Sequence, residues 1–274
     1  MPQTVVVTGA SSGVGLAAAE QFAARGDRVV VVGRNPERLD AAVARVREAG
    51  GGREPGRFRA DFDRLADVRD LAAHLLETCP TIDVLANNAG GMVNGYRRTA
   101  DGFEATIQGN HLAPFLLTSL LRERLAGGRM VVTASRAHTG GRPDPDDLVG
   151  RPEGYRAFRT YGAAKSANIL FAAEAARRWP DITSVSFHPG VVRSNFGAGA
   201  GAAARLFYRF APFLVTPEKA GALLVRLASV PADEVVNGGY YVGHTPTKPA
   251  PHAADPATAA ELWEASAAAT RAGP

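Results

Sequence analysis

Short apolar runs alternate along the chain with longer stretches of helical periodicity. The runs Thr4–Val7, Arg28–Val32, Arg57–Ala60, Val84–Asn87, Met130–Thr133, Ser184–Phe187 and Tyr240–Val242 read as strands. Between them lie helix-length segments: Gly13–Arg25, Pro36–Ala49, Leu65–Thr78, Phe103–Leu125 and Tyr161–Trp179. Several strands are continuous valine rather than alternating apolar and polar, as expected of strands covered on both faces. Strand-then-helix repetition predicts an α/β, Rossmann-type doubly wound parallel sheet of about seven strands, with right-handed crossovers and helices on both faces. No internal repeat or linker breaks the rhythm, so residues 1–274 read as one domain.

Two stretches depart from this pattern. Gly140–Arg156 is rich in Gly, Pro and Asp and predicts a substrate-side loop over about 140–157. Arg193–Pro212 combines Gly197, Gly199 and Gly201 with the aromatics Phe207, Tyr208 and Phe210, and Phe213 follows directly. It reads either as a lid over 193–213 or as an apolar face packed on the body. Both stretches are expected at the carboxyl edge of the sheet, where ligands bind in such folds.

Composition narrows the classes. Hydrophobic residues make up 46% and charged residues 21%, which is globular rather than disordered. The formal charge of +4 is spread along the chain. Without a Lys/Arg block interleaved with aromatics, it does not point to nucleic acid. Cys79 is the single cysteine, so no intramolecular disulfide is available and a cytoplasmic setting fits. The first strand follows Met1 at once, which leaves no room for a secretory leader. No apolar run approaches the ~20 residues of a membrane span.

Candidate chemistry sits at two places. Thr8-Gly9-Ala10-Ser11-Ser12-Gly13-Val14-Gly15 joins the first strand to the first helix. A phosphate needs backbone N–H groups with no side chain in the way. Glycines in a strand–turn–helix context meet that need, and the helix N-terminus adds partial positive charge. Gly9, Ser11, Ser12, Gly13, Val14 and Gly15 are therefore the candidate pyrophosphate turn of a dinucleotide. The second strand ends in Arg34, with no acid between Asp27 and Glu37 to take a ribose hydroxyl. A guanidinium fork there suits a 2′-phosphate, so NADPH/NADP+ is the expected cofactor.

Tyr161-Gly162-Ala163-Ala164-Lys165 places a phenol and an ammonium one helical turn apart. A free tyrosine titrates near ~10, and lowering that to ~7 takes about 4 kcal/mol of preference for the phenolate. A positive charge ~4 Å away at an effective dielectric near 20 supplies about that much. Beside the glycine turn, the pair describes a hydride-transfer site. His111, His138 and His188 show no metal-ligand spacing, and no metal is expected. Arg136 and His138 are expected to line or support the substrate pocket.

From Thr4 to about Val242 the chain resembles the short-chain dehydrogenases/reductases. The motifs in order are the glycine turn, Asn87-Asn88-Ala89-Gly90, Ser135, Tyr161-x-x-x-Lys165 and Pro189-Gly190. Within the family it is most similar to the soluble relatives of retinol dehydrogenases and protochlorophyllide reductases. That likeness rests on Asn110-His111-Leu112, Ser135-Arg136-Ala137-His138, His188-Pro189-Gly190-Val191-Val192-Arg193, the tail around Leu262-Trp263 and the long Ser135–Tyr161 interval.

The resemblance implies residue roles. Tyr161 is general acid in reduction and base in oxidation. Lys165 lowers the tyrosine pKa and holds the nicotinamide ribose. Ser135 binds the carbonyl or alcohol oxygen, and Asn110 supports a relay water. Asp61 and Phe62 lie at the adenine, and Asn87, Ala89 and Gly90 line the cofactor channel. Pro189, Gly190, Val192 and Ser194 lie at the nicotinamide. Ala134 replaces the first of the two serines usual before the catalytic position.

The implied activity is NADPH-dependent reduction of a bulky apolar ketone or aldehyde, reversible to alcohol oxidation. A secondary-metabolite ketoreductase fits, with a retinoid- or lipid-aldehyde reductase as alternative. A non-catalytic NADP(H)-binding sensor is the reading from another class. The resemblance also implies a homodimer or homotetramer through Phe103–Leu125 and Tyr161–Trp179.

Overall fold

Among the described residues, eight strands form one sheet in the order β3-β2-β1-β4-β5-β6-β7-β8. They are β1 (Thr4–Thr8), β2 (Arg28–Gly33), β3 (Gly56–Arg59), β4 (Val84–Asn87), β5 (Arg129–Thr133), β6 (Thr183–His188), β7 (Tyr240–Val242) and β8 (Thr245–Pro246). The first seven are parallel. The short β8, beyond the seven expected strands, pairs antiparallel with β7 at the edge. The computed structural model describes residues 2–192 and 214–271. The expected lid and Ser194 therefore lie outside the described residues.

The continuous valines are explained by the pleat. Successive side chains point to opposite faces, so Val6, Val30 and Val32 enter one core while Val5, Val7, Val29 and Val31 enter the other. The second core packs against α1 (Gly13–Ala24), α2 (Pro36–Ala49) and α7 (Pro217–Ser229). Sequence reasoning missed α7. Its start signal was present, since Thr216 caps Lys219 N and Pro217 opens the first turn.

The first core packs against α3 (Leu65–Thr78), α5 (Ala113–Leu120), α6 (Ala157–Arg178) and α8 (Pro256–Arg271). The expected helix Phe103–Leu125 is shorter and interrupted. A turn, α4 (Ala105–Ile107), runs through a π-helical stretch at Gln108–Leu112 into α5. Helix α6 starts at Ala157, ahead of the expected Tyr161, which sets Tyr161 in its second turn.

The C-terminal helix α8 lies across α5 and α6. Trp263 meets Phe115 edge-on at 5.0 Å and Trp179 at 4.8 Å. Ser266 Oγ pairs with His111 Nε2 at 2.8 Å. Among the described residues, no helix is long and apolar enough to cross a membrane.

Candidate active site

A cleft of about 1090 Å³ runs along the carboxyl ends of β1, β2, β4, β5 and β6. At one end, the β1–α1 turn is built from backbone. Gly9 and Gly13 have φ of 66° and 57°, the left-handed region that favours glycine. A Cβ at Gly9 would sit 2.8 Å from Ala89 Cα, and one at Gly15 would sit 2.6 Å from Gly9 O. Gly15 thus closes the turn from behind and is not part of the cleft lining, whereas Gly9, Ser11, Ser12, Gly13 and Val14 are.

The N-terminus of α1 differs from that of α2. Asn35 caps α2 by accepting from Arg38 N at 2.8 Å, and Glu37 adds an acid to the first turn. At α1 the Ser12 side chain accepts no capping bond, and the first turn holds no acid. The first turn of α1 thus lacks a side-chain cap while Ser12, Gly13 and Val14 line the cleft, the arrangement that receives an anion. Arg34 lines the cleft beside this turn, as does Arg38, which sequence reasoning missed. Neither forms an ion pair among the described residues. Asp61 and Phe62 line the adjacent wall. A dinucleotide with an extra phosphate fits this donor set.

The middle of the cleft departs from expectation at one residue. Asn87 is buried and donates from Nδ2 to Thr118 Oγ1 at 2.9 Å, on the far side of β4. It does not reach the cleft. The lining residues are Asn88, Ala89 and Gly90. Asn88 Nδ2 donates to Thr8 O (3.0 Å), and Asn88 Oδ1 accepts from Thr133 Oγ1 (3.2 Å). Thr8 Oγ1 accepts from the amides of Asn88 and Ala89, both at 3.0 Å. This stitch joins three strand ends under the cleft floor.

The other end is built from side chains. Ser135, Tyr161, Lys165 and Asn110 line it together, with Pro189, Gly190 and Val192 opposite. Two glycines let the Ser135 turn lie flat on α6. A Cβ at Gly141 would collide with Ala163 N, and one at Gly162 would sit 2.5 Å from Ala137 O. Ser135 Oγ accepts from Ala137 N at 3.1 Å.

Lys165 is 3% exposed and donates to Thr133 O at 3.0 Å. Its ammonium lies 5.4 Å from the centroid of the Tyr161 ring. Burial pulls the lysine down to about 7. Asn110 sits in the π-helical stretch. Its Nδ2 donates to Thr106 O and Gly91 O, each at 2.8 Å, and its Oδ1 accepts from Gly91 N at 3.1 Å. Glycine is required at position 90, because its φ is positive (149°) and a Cβ there would strike Asn110 Oδ1.

Among the flanking residues, His138 is structural. Its Nδ1 pairs with Ser135 O (2.7 Å), and its Nε2 accepts from Ala250 N (3.1 Å). Arg136, Thr139, Phe158 and Val191 line the cleft around the Ser135–Tyr161 end. Phe158 is 62% exposed, an apolar surface on the substrate side. Most of the 140–157 loop lies elsewhere. Residues from Arg142 to Tyr155 enclose a separate cavity of about 340 Å³ over Ile107, His111 and Leu262.

Comparison with known proteins accords with this geometry. Residues 3–204 match the short chain dehydrogenase family. The chain belongs to that family. Over 267 residues it is 52% identical to the Streptomyces sp. (strain C5) protein named "Putative daunorubicin C-13 ketoreductase DnrU", covering 97% of this chain and 92% of the relative. Human retinol dehydrogenase 13 is 34% identical over 276 residues, 97% of this chain and 83% of that one.

Among solved structures, an uncharacterised protein from Mycobacterium paratuberculosis superposes with a TM-score of 0.79 at 30% identity, covering 99% of this chain and 96% of that one. A short chain dehydrogenase from Burkholderia cenocepacia J2315 in complex with NADP gives 0.70 at 27% identity, over 87% and 94%. The protein is an oxidoreductase acting on alcohol and keto groups.

Proposed function

We propose that this protein is an NADPH-dependent reductase of a bulky, largely apolar ketone. The observation that carries the reading is one continuous cleft with, at one end, an uncapped helix N-terminus and two arginines without an ion pair among the described residues. Ser135, Tyr161, Lys165 and Asn110 stand at the other. The likeness to a protein named as a ketoreductase supports the ketone, and the NADP complex of a structural relative supports the cofactor. Phe158 and Val191 supply apolar surface for the substrate body.

A reduced nicotinamide bound in this cleft would supply the hydride. Ser135 Oγ holds the carbonyl oxygen. Tyr161 delivers the proton from its phenol, leaving a phenolate. The Lys165 ammonium, 5.4 Å from the centroid of the tyrosine ring, is a nearby positive charge that favours the phenolate. The burial that weakens the lysine's charge in the cofactor-free protein strengthens its pull on a neighbouring anion. Asn110 fixes the π-helical turn and the Gly90–Gly91 backbone, which shapes the floor beside Lys165.

The likeness to retinol dehydrogenases favours a retinoid or lipid aldehyde as the second reading. A cofactor-binding sensor is disfavoured because the full set of reactive side chains is retained. The oligomer contact implied by family resemblance would use α5 and α6, against which α8 packs through Trp263. Cys79 is buried and unpaired, which suits a reducing cytoplasm.

The test is NADPH oxidation, followed by absorbance, against aryl ketones, polycyclic ketones and retinal. Turnover of polycyclic ketones above retinal supports the proposal. Tight NADPH binding without turnover on any of them rejects it.

A further inference from the structure

His188 ends β6 beside the turn that carries Ser135. The register pairs Thr133 with Phe187, and Ala134 N donates to Phe187 O at 2.8 Å. Beyond that pair, β5 turns into a short 3₁₀ helix at Arg136–Gly140. The first N–H groups of a helix have no partner within it. Here Ser135 Oγ takes the amide of Ala137 at 3.1 Å, and His188 Nδ1 takes the amide of Arg136 at 3.3 Å. The two acceptors divide the orphan amides that directly follow Ser135.

The imidazole is 9% exposed and lines the cleft. Accepting at Nδ1 puts the ring proton on Nε2. Burial, the Arg136 guanidinium and His138 together hold its pKa down to about 4. Lys165 and Tyr161 line the same cleft, and Tyr240 stands on the neighbouring strand, paired in register with Ser186.

We propose that His188 is a positioning residue. Through Nδ1 it holds the Arg136 amide, and with it the backbone that aims Ser135 Oγ at the reacting carbonyl. This rests on the reading of Ser135 as the carbonyl-binding group. Protonated His188 has a donor at Nδ1 facing the Arg136 donor, so acid breaks the contact.

The experiment compares wild type with His188→Phe, His188→Asn and Ser135→Ala, using NADPH and 1-phenylpropane-1,2-dione. Asn keeps an acceptor near the Nδ1 position but does not titrate. His188→Phe should lower kcat by about 10- to 100-fold, the scale of a misplaced reacting geometry, with the NADPH Kd unchanged. His188→Asn should recover to within about threefold of wild type, and it should lack the acid-side fall in kcat expected of wild type as His188 protonates near pH 4.

A readout independent of turnover is hydrogen exchange at the Arg136 amide. Exchange should quicken in His188→Phe and stay slow in His188→Asn. Wild-type kcat in His188→Phe beside an inactive Ser135→Ala overturns the inference while leaving Ser135 in its role. Wild-type turnover in Ser135→Ala overturns both. If the Phe variant does not fold, an acid limb retained in His188→Asn, or fast Arg136 exchange in it, overturns the proposal.

Discussion

The two ends of the cleft solve opposite problems with different materials. The turn between β1 and α1 presents backbone amides, and its side chains are small or absent where a ligand would come close. Its positive character comes from an uncapped helix and exposed arginines, so charge there remains in contact with water. The Ser135–Tyr161 end uses buried side chains whose ionisation the fold disturbs, with Lys165 drawn down to about 7 and His188 to about 4. Binding a constant anionic group needs a preformed field. Moving a proton needs groups near the point of changing charge, and burial puts them there.

Three substitutions would break or sharpen this contrast. The largest effect is expected from Tyr161→Phe, which removes the proton donor and keeps the ring. Turnover should fall by roughly 10²–10⁴-fold, while NADPH affinity, measured by fluorescence titration, stays near wild type. A variant that turns over at the wild-type rate would remove proton transfer from this end of the cleft.

Next in size is a gain in stability. Keeping Lys165 buried at pH 7, with its pKa drawn from 10.5 to about 7, costs roughly 4 kcal/mol at 1.36 kcal/mol per unit. Between those pH values the unfolded chain binds more protons than the folded one, so this penalty shrinks as pH rises. Lys165→Met should therefore melt higher than wild type without cofactor, by about 2–4 °C for each kcal/mol recovered. The advantage should be largest at pH 7 and vanish above pH 10.5, while turnover is lost. Melting curves from pH 7 to 10.5 check it, and a lower Tm for the Met variant at pH 7 contradicts it.

The smallest effect belongs to the solvated end. Arg34→Asp should weaken NADPH by about 10- to 100-fold, equivalent to one or two charge-assisted hydrogen bonds, and should leave or improve NADH binding. Since Arg38 shares that wall, the double replacement of Arg34 and Arg38 should weaken NADPH further. Dissociation constants for both cofactors decide it, and equal wild-type affinities would remove the 2′-phosphate from the argument.

Legibility in the sequence followed locality. The valine strands, the glycine turn and the Tyr161–Lys165 pair depend on neighbours in the chain, and they could be read there. Asn87 could not be placed correctly. It ends β4, and one residue of strand phase decides whether it or Asn88 faces the cleft. Arg38 was missed because it belongs to the helix after the strand end that carried the signal. His188 stood in a quoted motif, but its role depends on an amide 52 positions away.

By itself, the sequence determined the alternation of strands and helices, the two-sided burial of the sheet and the order of the reactive motifs. All of these follow from periodicity and adjacent residues. Tertiary structure alone decided that α8 packs Trp263 against α5 and α6, that Lys165 loses its water and that His188 meets the Arg136 amide. These are contacts between distant segments. Burial and hydrogen-bond partners are properties of the packed chain, and no local pattern of residue types encodes them.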